Sequence, residues 1–438
     1  MGSKMTDVCV LGLGYVGLPT AALLAVSGLN VVGVDTNEAV VREINSGDLS
    51  GHEAGLRTLV QAAVGSGRLA ATTTPQAAET FIIAVPTPLG RDNRADLTHV
   101  RAAVEALISV LKPGALVVLE STVPPGTTEG VVCAALANNG LRPGKDVHVA
   151  YCPERVLPGH ILAELTENDR VIGGIDAASG QRAAHLYARF AQGDMVMTSA
   201  SVAELVKLAE NSYRDVNIAF ANELLTVCQR LGVDGLEVIR LANRHPRVSI
   251  LQPGPGVGGH CIPVDPWFIV EAAPAEAQLI ATARRVNKSM PAFVVQALAR
   301  LLHGIRDPKV SIWGVAYKAD VDDARESPAL DILALLNKEG IRFAVTDPLV
   351  KRFPYPIEAL SASVQDADCI LILTDHRDFR LVDPETVGGV MRTRMVLDTR
   401  DSLDRSRWSS AGFTAHTLGS LATAQAVQPP ASEDGGAS

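Results

Sequence analysis

The sequence predicts an α/β protein: two doubly wound domains, each built on a mostly parallel sheet, joined by a helical central segment. Three observations carry that expectation. Short apolar runs alternate with helical stretches from Val8 to about residue 200. Helical periodicity then takes over, and strand-length apolar runs resume at Lys309.

The first unit opens on Asp7-Val-Cys-Val-Leu-Gly12-Leu-Gly14-Tyr15-Val16-Gly17-Leu-Pro-Thr20, followed by a helical stretch and by Asn30-Val-Val-Gly-Val-Asp35. That is strand, G-x-G-x-x-G turn, helix, second strand and a terminal acid. A bare G-x-G-x-x-G is weak evidence, but this setting points to a dinucleotide site. Gly12 permits the turn, Gly14 lets a pyrophosphate approach the helix N-terminus, and Gly17 lets helix and strand pack. Tyr15 and Val16 lie within the same turn. Asp35 is placed to bind ribose hydroxyls and repel a 2′-phosphate, so NAD is expected rather than NADP.

Further strands are expected at Phe81–Val85, Ala115–Leu119, Val147–Tyr151 and Arg170–Gly174, apolar runs suited to a sheet covered on both faces. Several end in polar or proline-rich loops carrying Thr87, Thr122, and Glu154 with Arg155. Ligands bind at the carboxyl ends of such strands, so these loops are candidates for the nicotinamide half of the site. Glu154 and Thr122 are candidates to position and deprotonate a water. The bland alternative is that both are ordinary loop residues.

The central segment reads helically from Ala203 through Leu225. Lys207 and Asn211 share one face at i and i+4, with Arg214 near it. A Lys/Asn pair on a helix is usually a solvated stripe. The apolar neighbours Leu205, Val206, Leu208 and Ala209 instead suggest a packed lysine, able to stabilise an oxyanion. Beyond it, Pro253-Gly-Pro-Gly-Val-Gly258-Gly-His-Cys261-Ile-Pro-Val-Asp265 places one thiol after a run too rich in glycine for regular structure. With a carboxylate four residues on, Cys261 reads as a covalent nucleophile, against the alternative of a spare cysteine in a tight turn.

The second α/β unit is expected to use Lys309–Tyr317, Phe343–Asp347, Cys369–Leu373 and Met395–Asp398 as strands. Residues 422–438 lack periodicity and read as a disordered tail. The expected division is a dinucleotide-binding domain over 5–200, a helical dimerisation domain over 201–300, a substrate domain over 301–421, and that tail. Met1-Gly-Ser-Lys reads as an added leader.

A chain of 438 residues with 47% hydrophobic and 20% charged residues is globular in composition. No apolar run approaches the roughly 18 residues of a membrane span, and no signal-peptide pattern stands at the N-terminus. A net charge of −9 argues against nucleic acid as the main partner. The six cysteines are scattered without metal-ligand spacing, so no metal site is expected and a reduced, cytoplasmic setting is.

The glycine turn, Val85-Pro-Thr-Pro88, Glu120-Ser-Thr-Val123, Tyr151-Cys-Pro-Glu-Arg-Val-Leu-Pro-Gly159 and Asn168-Asp-Arg-Val-Ile-Gly-Gly174 stand in fixed order. They are followed by the Lys207–Leu224 helix, Ala242-Asn-Arg-His-Pro-Arg-Val248, the Cys261 run, and the segment from Ala316 to Pro328. In these motifs the chain resembles the UDP-glucose/GDP-mannose dehydrogenase family over about residues 6–415. The resemblance implies two Rossmann-like domains around the helical segment and a four-electron oxidation of a sugar C6 alcohol with two NAD⁺ per turnover. It implies that Cys261 carries a thiohemiacetal and then a thioester, that water activated through Glu154 hydrolyses the thioester, and that Lys207, Asn211 and Asp265 stabilise oxyanions and relay protons.

By the same resemblance Arg155, Val156, Lys207, Asn211, Arg214, His245, Arg247, Gly258 and Lys318 surround a UDP-sugar. Arg325 belongs to this basic set and is also carried over as a cofactor contact. Arg247 is implied to reach a neighbouring subunit, making the enzyme a homodimer. UDP-glucose dehydrogenases of the family carry Phe, an acid and Lys where this chain has Arg155, Pro158 and Val264. The expected substrate is therefore a UDP-N-acetylhexosamine, UDP-N-acetyl-D-mannosamine first and its N-acetylglucosamine or N-acetylgalactosamine counterparts as alternatives. A two-electron hydroxyacid dehydrogenase would have no use for the Cys261 run, and a non-catalytic binder none for Cys261 and Lys207 together.

Overall fold

Alternating short apolar runs and helices pack into layered sheets because parallel neighbours need a crossover between them. The computed structural model describes residues 5–49, 54–156 and 160–420. The leader, Pro158 and the 422–438 tail lie outside the described residues.

Thirteen strands occur among the described residues. Eight form one sheet: β1 (Thr6–Leu11), β2 (Val31–Val34), β3 (Leu69–Thr72), β4 (Ala78–Ile83), β5 (Ala115–Leu119), β6 (Val147–Tyr151), β7 (Arg170–Gly174) and β8 (Met195–Ser199), in the order β3-β2-β1-β4-β5-β6-β7-β8. Its first six strands follow the doubly wound dinucleotide-binding order, which reverses between β1 and β4. Five strands form the second sheet: β9 (Lys309–Trp313), β10 (Arg342–Thr346), β11 (Cys369–Ile372), β12 (Met395–Asp398) and β13 (Thr414–Thr417), all parallel, in the order β10-β9-β11-β12-β13. This is the other common doubly wound order, reversing between β9 and β11.

Both sheets are covered on both faces, and successive strand residues show it. Val8 and Val10 enter one core while Cys9 and Leu11 enter the other. In the second sheet Val310 and Ile312 face one cluster and Trp313 the opposite one, where it packs edge-on against Trp408 with ring centroids 5.9 Å apart.

Three details depart from the sequence reading. The strand expected at Phe81–Val85 runs instead from Ala78 to Ile83, because pairing with β1 sets its register from Thr6↔Ala78 to Leu11↔Ile83. β7 is antiparallel to β6, so the sheet is not uniformly parallel. β3, β8 and β13 were not anticipated; β3 and β13 are Leu-Ala-Ala-Thr and Thr-Ala-His-Thr, and all three lie at sheet edges, where pairing rather than propensity makes a strand.

The central segment holds the helices Ala200–Leu231, Gly235–Ala242, Asp265–Ala272 and Gln278–Leu301. Asp234 caps the second of these, accepting from the Leu236 and Glu237 amides. Residues 243–264 form no helix or strand, as their glycines and prolines dictate. The chain divides into two compact units. One holds the chain up to Asn211 together with Val264–Ala277; the other holds Ser212–Pro263 and the chain from Gln278 onward.

Candidate active site

In the first unit the G-x-G-x-x-G turn takes the form its glycines demand. Gly12 has φ +89°, and a Cβ on it would stand 2.5 Å from Ala84 O. A Cβ on Gly17 would meet Gly12 O at 1.9 Å. Around Gly14 nothing lies within 4 Å of such a Cβ, leaving room for a ligand to approach the backbone. The Gly17–Val26 helix starts with Val16 at its cap position and without a side-chain cap, which leaves its amide end for an anion. Asp35 half-buries its carboxylate against the turn, accepting from Leu13 N at 3.1 Å and Asn37 N at 2.9 Å. Tyr15 is exposed beside it. These residues fit an adenine dinucleotide.

Loops at the carboxyl ends of β4, β5 and β6 bring the next group together. Thr87 Oγ1 donates to Thr122 O at 2.5 Å, joining two loops that sequence spacing only suggested. Glu154, after β6, is 9% exposed and accepts from Val156 N. Lys207 projects inward from its helix and is 6% exposed; its Nζ lies 3.7 Å from Glu154 Oε2. Asn211, one turn on, donates from Nδ2 to Asp265 Oδ2 at 2.6 Å. Burial pushes the Asp265 carboxyl up to about 6, while the Lys207 charge and the Asn211 hydrogen bond pull it down. Thus Glu154, Lys207, Asn211 and Asp265 share one buried polar cluster. Arg155 also belongs to this unit and pairs with Glu210 at 2.5 Å while donating to Asp169 O at 3.1 Å.

Behind that cluster lies a group the sequence reading did not single out. Glu120, at the end of β5, is 2% exposed and accepts from Tyr187 Oη at 2.7 Å. The Arg170 guanidinium stacks 4.6 Å from the Tyr187 ring centre and donates to Cys152 Sγ at 3.7 Å. Burial raises the Glu120 carboxyl to about 7 against the pull of Arg170 and Tyr187. Nothing in sequence spacing links these residues; only the sheet order places them side by side.

Cys261 belongs to the second unit and is exposed there. Gly258 is fitted to its neighbours so closely that a Cβ would stand 2.6 Å from Glu326 O. Lys318 and Arg325 follow the Ala316–Tyr317 turn beyond β9, at the reversal point of the second sheet. That turn repeats the geometry of the first unit. Gly314 has φ +84° and donates to Thr346 O as Gly12 does to Val34 O, and Val315 N bonds Asp347 Oδ2 as Leu13 N bonds Asp35. Here, however, Asp347 is occupied by buried His376, 3.2 Å away. Arg400, also unanticipated, ends beside Gly254, its Nη1 2.5 Å from where a Cβ would stand. A glycine after one strand and an acid after the next was the legible signal for this second turn. Arg214, His245 and Arg247 belong to the second unit and are exposed there. No group of ligating side chains suited to a metal occurs among the described residues.

Residues 6–191 match the model of the UDP-glucose/GDP-mannose dehydrogenase family NAD binding domain, 201–289 that family's central domain and 311–405 its UDP binding domain. A UDP-N-acetyl-D-mannosamine dehydrogenase of Methanocaldococcus jannaschii is 46% identical over 419 residues, covering 94% of this chain and 96% of that protein. An NDP-N-acetyl-D-galactosaminuronic acid dehydrogenase of Ralstonia solanacearum is 46% identical over 421 residues, covering 93% and 97%. Among solved structures, a UDP-D-ManNAc dehydrogenase of Pyrococcus horikoshii superposes with a TM-score of 0.88 at 39% identity, covering 95% of this chain and all of that one.

Proposed function

The chain belongs to the UDP-glucose/GDP-mannose dehydrogenase family, and on that premise we propose that it oxidises the C6 alcohol of a UDP-N-acetylhexosamine, UDP-N-acetyl-D-mannosamine first, to the carboxylate. The observation that carries the reading is the buried cluster of Lys207, Glu154, Asn211 and Asp265 at the carboxyl end of a dinucleotide-binding sheet. A merely structural lysine would keep its ammonium in water.

Gly12, Gly14, Gly17 and Asp35, with Tyr15, Val16, Thr87 and Thr122, would hold NAD⁺, which would supply a hydride acceptor for each of two oxidations; Arg325 is assigned to it by the family resemblance alone. Cys261 Sγ bonds the aldehyde carbon as a thiohemiacetal, so the intermediate does not escape between steps. Loss of a hydride from the former aldehyde carbon and of a proton from its hydroxyl converts that adduct to a thioester. Water deprotonated through Glu154 attacks the thioester carbon, and the carboxylate leaves as the thiol re-forms. Lys207 offsets negative charge on the oxygen of each tetrahedral species, with Asn211 holding Asp265 as its counter-charge.

Arg155, Val156, Arg214, His245, Arg247, Gly258 and Lys318 are assigned to the nucleotide sugar. UDP-N-acetylgalactosamine is the second reading, favoured by the Ralstonia relative's equal identity. The functional division proposed is 5–200, 201–300 and 301–421. A homodimer through the helical segment is supported by an apolar stripe along Ala200–Leu231: Tyr213, Phe220, Val227 and Leu231 are all exposed. Arg247 is assigned across that interface. A reduced cytoplasmic setting suits six cysteines of which none is in a disulfide. Among the described residues no helix is long and apolar enough to cross a membrane.

Titration with limiting UDP-N-acetyl-D-mannosamine tests the reaction: two NADH should form per sugar with no free aldehyde. One NADH per sugar would end the four-electron reading.

A further inference from the structure

The run leading to Cys261 is fastened within the second unit at several points. Upstream, Gly254 N donates to Asn222 Oδ1 at 2.9 Å, and Asn222 is held by Asn287, itself bonded to buried Asp215. Downstream, Gly258 and Gly259 lie flush against Tyr317, where a Cβ on either would come within 3.1 Å and 3.0 Å of that side chain. His260, the residue before the thiol, completes the fastening with its Nε2 3.1 Å from Asp323 Oδ2. Burial opposes charge on Asp323, but hydrogen bonds from Arg325 and His260 hold its carboxyl down at about 2. The shared hydrogen therefore belongs to His260. The same carboxylate takes both arms of the Arg325 guanidinium, at 2.9 Å and 2.7 Å. One acid thus links the residue next to the thiol to a cation within the part of the chain that matches the UDP binding domain.

We propose that Asp323 is a positioning residue for Cys261, anchoring His260 on one side and Arg325 on the other, so that a nucleotide engaging Arg325 changes how the thiol is presented. The proposal rests on the reading of Cys261 as the nucleophile and of Arg325 as a ligand contact. The preceding glycines impose little conformation of their own, so the His260–Asp323 bond, together with the packing of Gly258 and Gly259 on Tyr317, helps to set the thiol's direction. A ligand anion that draws the guanidinium away from Asp323 releases half of the carboxylate's partners and alters that bond.

Alkylation by iodoacetamide, followed at Cys261 by peptide mass spectrometry with half-buried Cys133 as internal reference, reads the effect directly. In the unaltered protein, UDP alone should change the Cys261 rate by about threefold or more, without moving Cys133. In Asp323→Asn and in His260→Phe that response should vanish and kcat should fall about tenfold, with KM for NAD⁺ unchanged in His260→Phe, as expected of a misdirected reacting group. Asp323→Glu should restore part of both. His260→Phe preserves the Asp323–Arg325 pair and decides the matter if Asp323→Asn does not fold. No UDP response in the unaltered protein, or a full response with kcat within about twofold in these variants, overturns the assignment. Full turnover in Cys261→Ser would instead defeat the nucleophile reading itself, a separate outcome.

Discussion

Lys207 Nζ lies 3.7 Å from Glu154 Oε2, and their side chains are only 7% and 10% exposed. Desolvating an ion pair costs free energy that its own attraction often fails to recover. A stability argument alone therefore does not account for the pair, whereas the proposed chemistry, with negative oxygen and a hydrolytic water to handle, does. Asp265 adds a second buried carboxyl whose preferred charge depends on Lys207.

Removing one partner strands the other. Lys207→Met should destabilise the protein by about 3 kcal/mol and abolish measurable turnover, because a buried carboxylate loses its counter-charge. Adding Glu154→Gln should recover much of the stability and none of the activity. Chemical unfolding of the two single variants and the double variant checks this; additive losses would mean that the pair is not coupled.

The proposed labour of Cys261 and Glu154 separates by mass. Glu154→Gln, mixed with UDP-N-acetyl-D-mannosamine and NAD⁺, should accumulate a covalent sugar adduct, since acylation proceeds and hydrolysis stalls. Cys261→Ser should show neither adduct nor turnover. Intact-protein mass spectrometry without the added mass in Glu154→Gln would place the nucleophile elsewhere.

Asp35 accepts from the amides of Leu13 and Asn37, and its carboxylate would repel a 2′-phosphate. NAD⁺ should exceed NADP⁺ by more than about tenfold in kcat/KM, or ~1.4 kcal/mol. Asp35→Ala should narrow the ratio chiefly by weakening NAD⁺. Comparable use of both cofactors by the unaltered enzyme would contradict this.

Glu120 makes a prediction about pH. Burial raises its carboxyl from 4.5 to about 7 in the folded protein. Between those values the native state keeps a proton that the unfolded chain has lost, so this residue's contribution to stability falls as pH rises through the window. The penalty approaches about 3 kcal/mol at most above it. Urea midpoints at pH 5 and pH 8 should diverge less in Glu120→Gln than in the unaltered protein. An identical pH dependence would show that Glu120 is charged throughout.

Local pattern alone determined the dinucleotide turn, both α/β units, the helical middle and the unusual placement of Cys261, because turn chemistry and hydrophobic period are written in neighbouring residues. Asp35 was legible for the same reason: it ends the strand after the glycine turn. Tertiary structure decided everything that depends on which strands become neighbours. Glu120, Arg170 and Tyr187 are distant in sequence and meet only because β5 and β7 flank β6 and the Ala177–Tyr187 helix packs against them. Lys207 could be read as helical but not as buried against Glu154, since a helix's inward face is set by what packs on it. The weak edge strands β3 and β13 exist by hydrogen bonding to partners, a free energy that no single segment carries in its own composition.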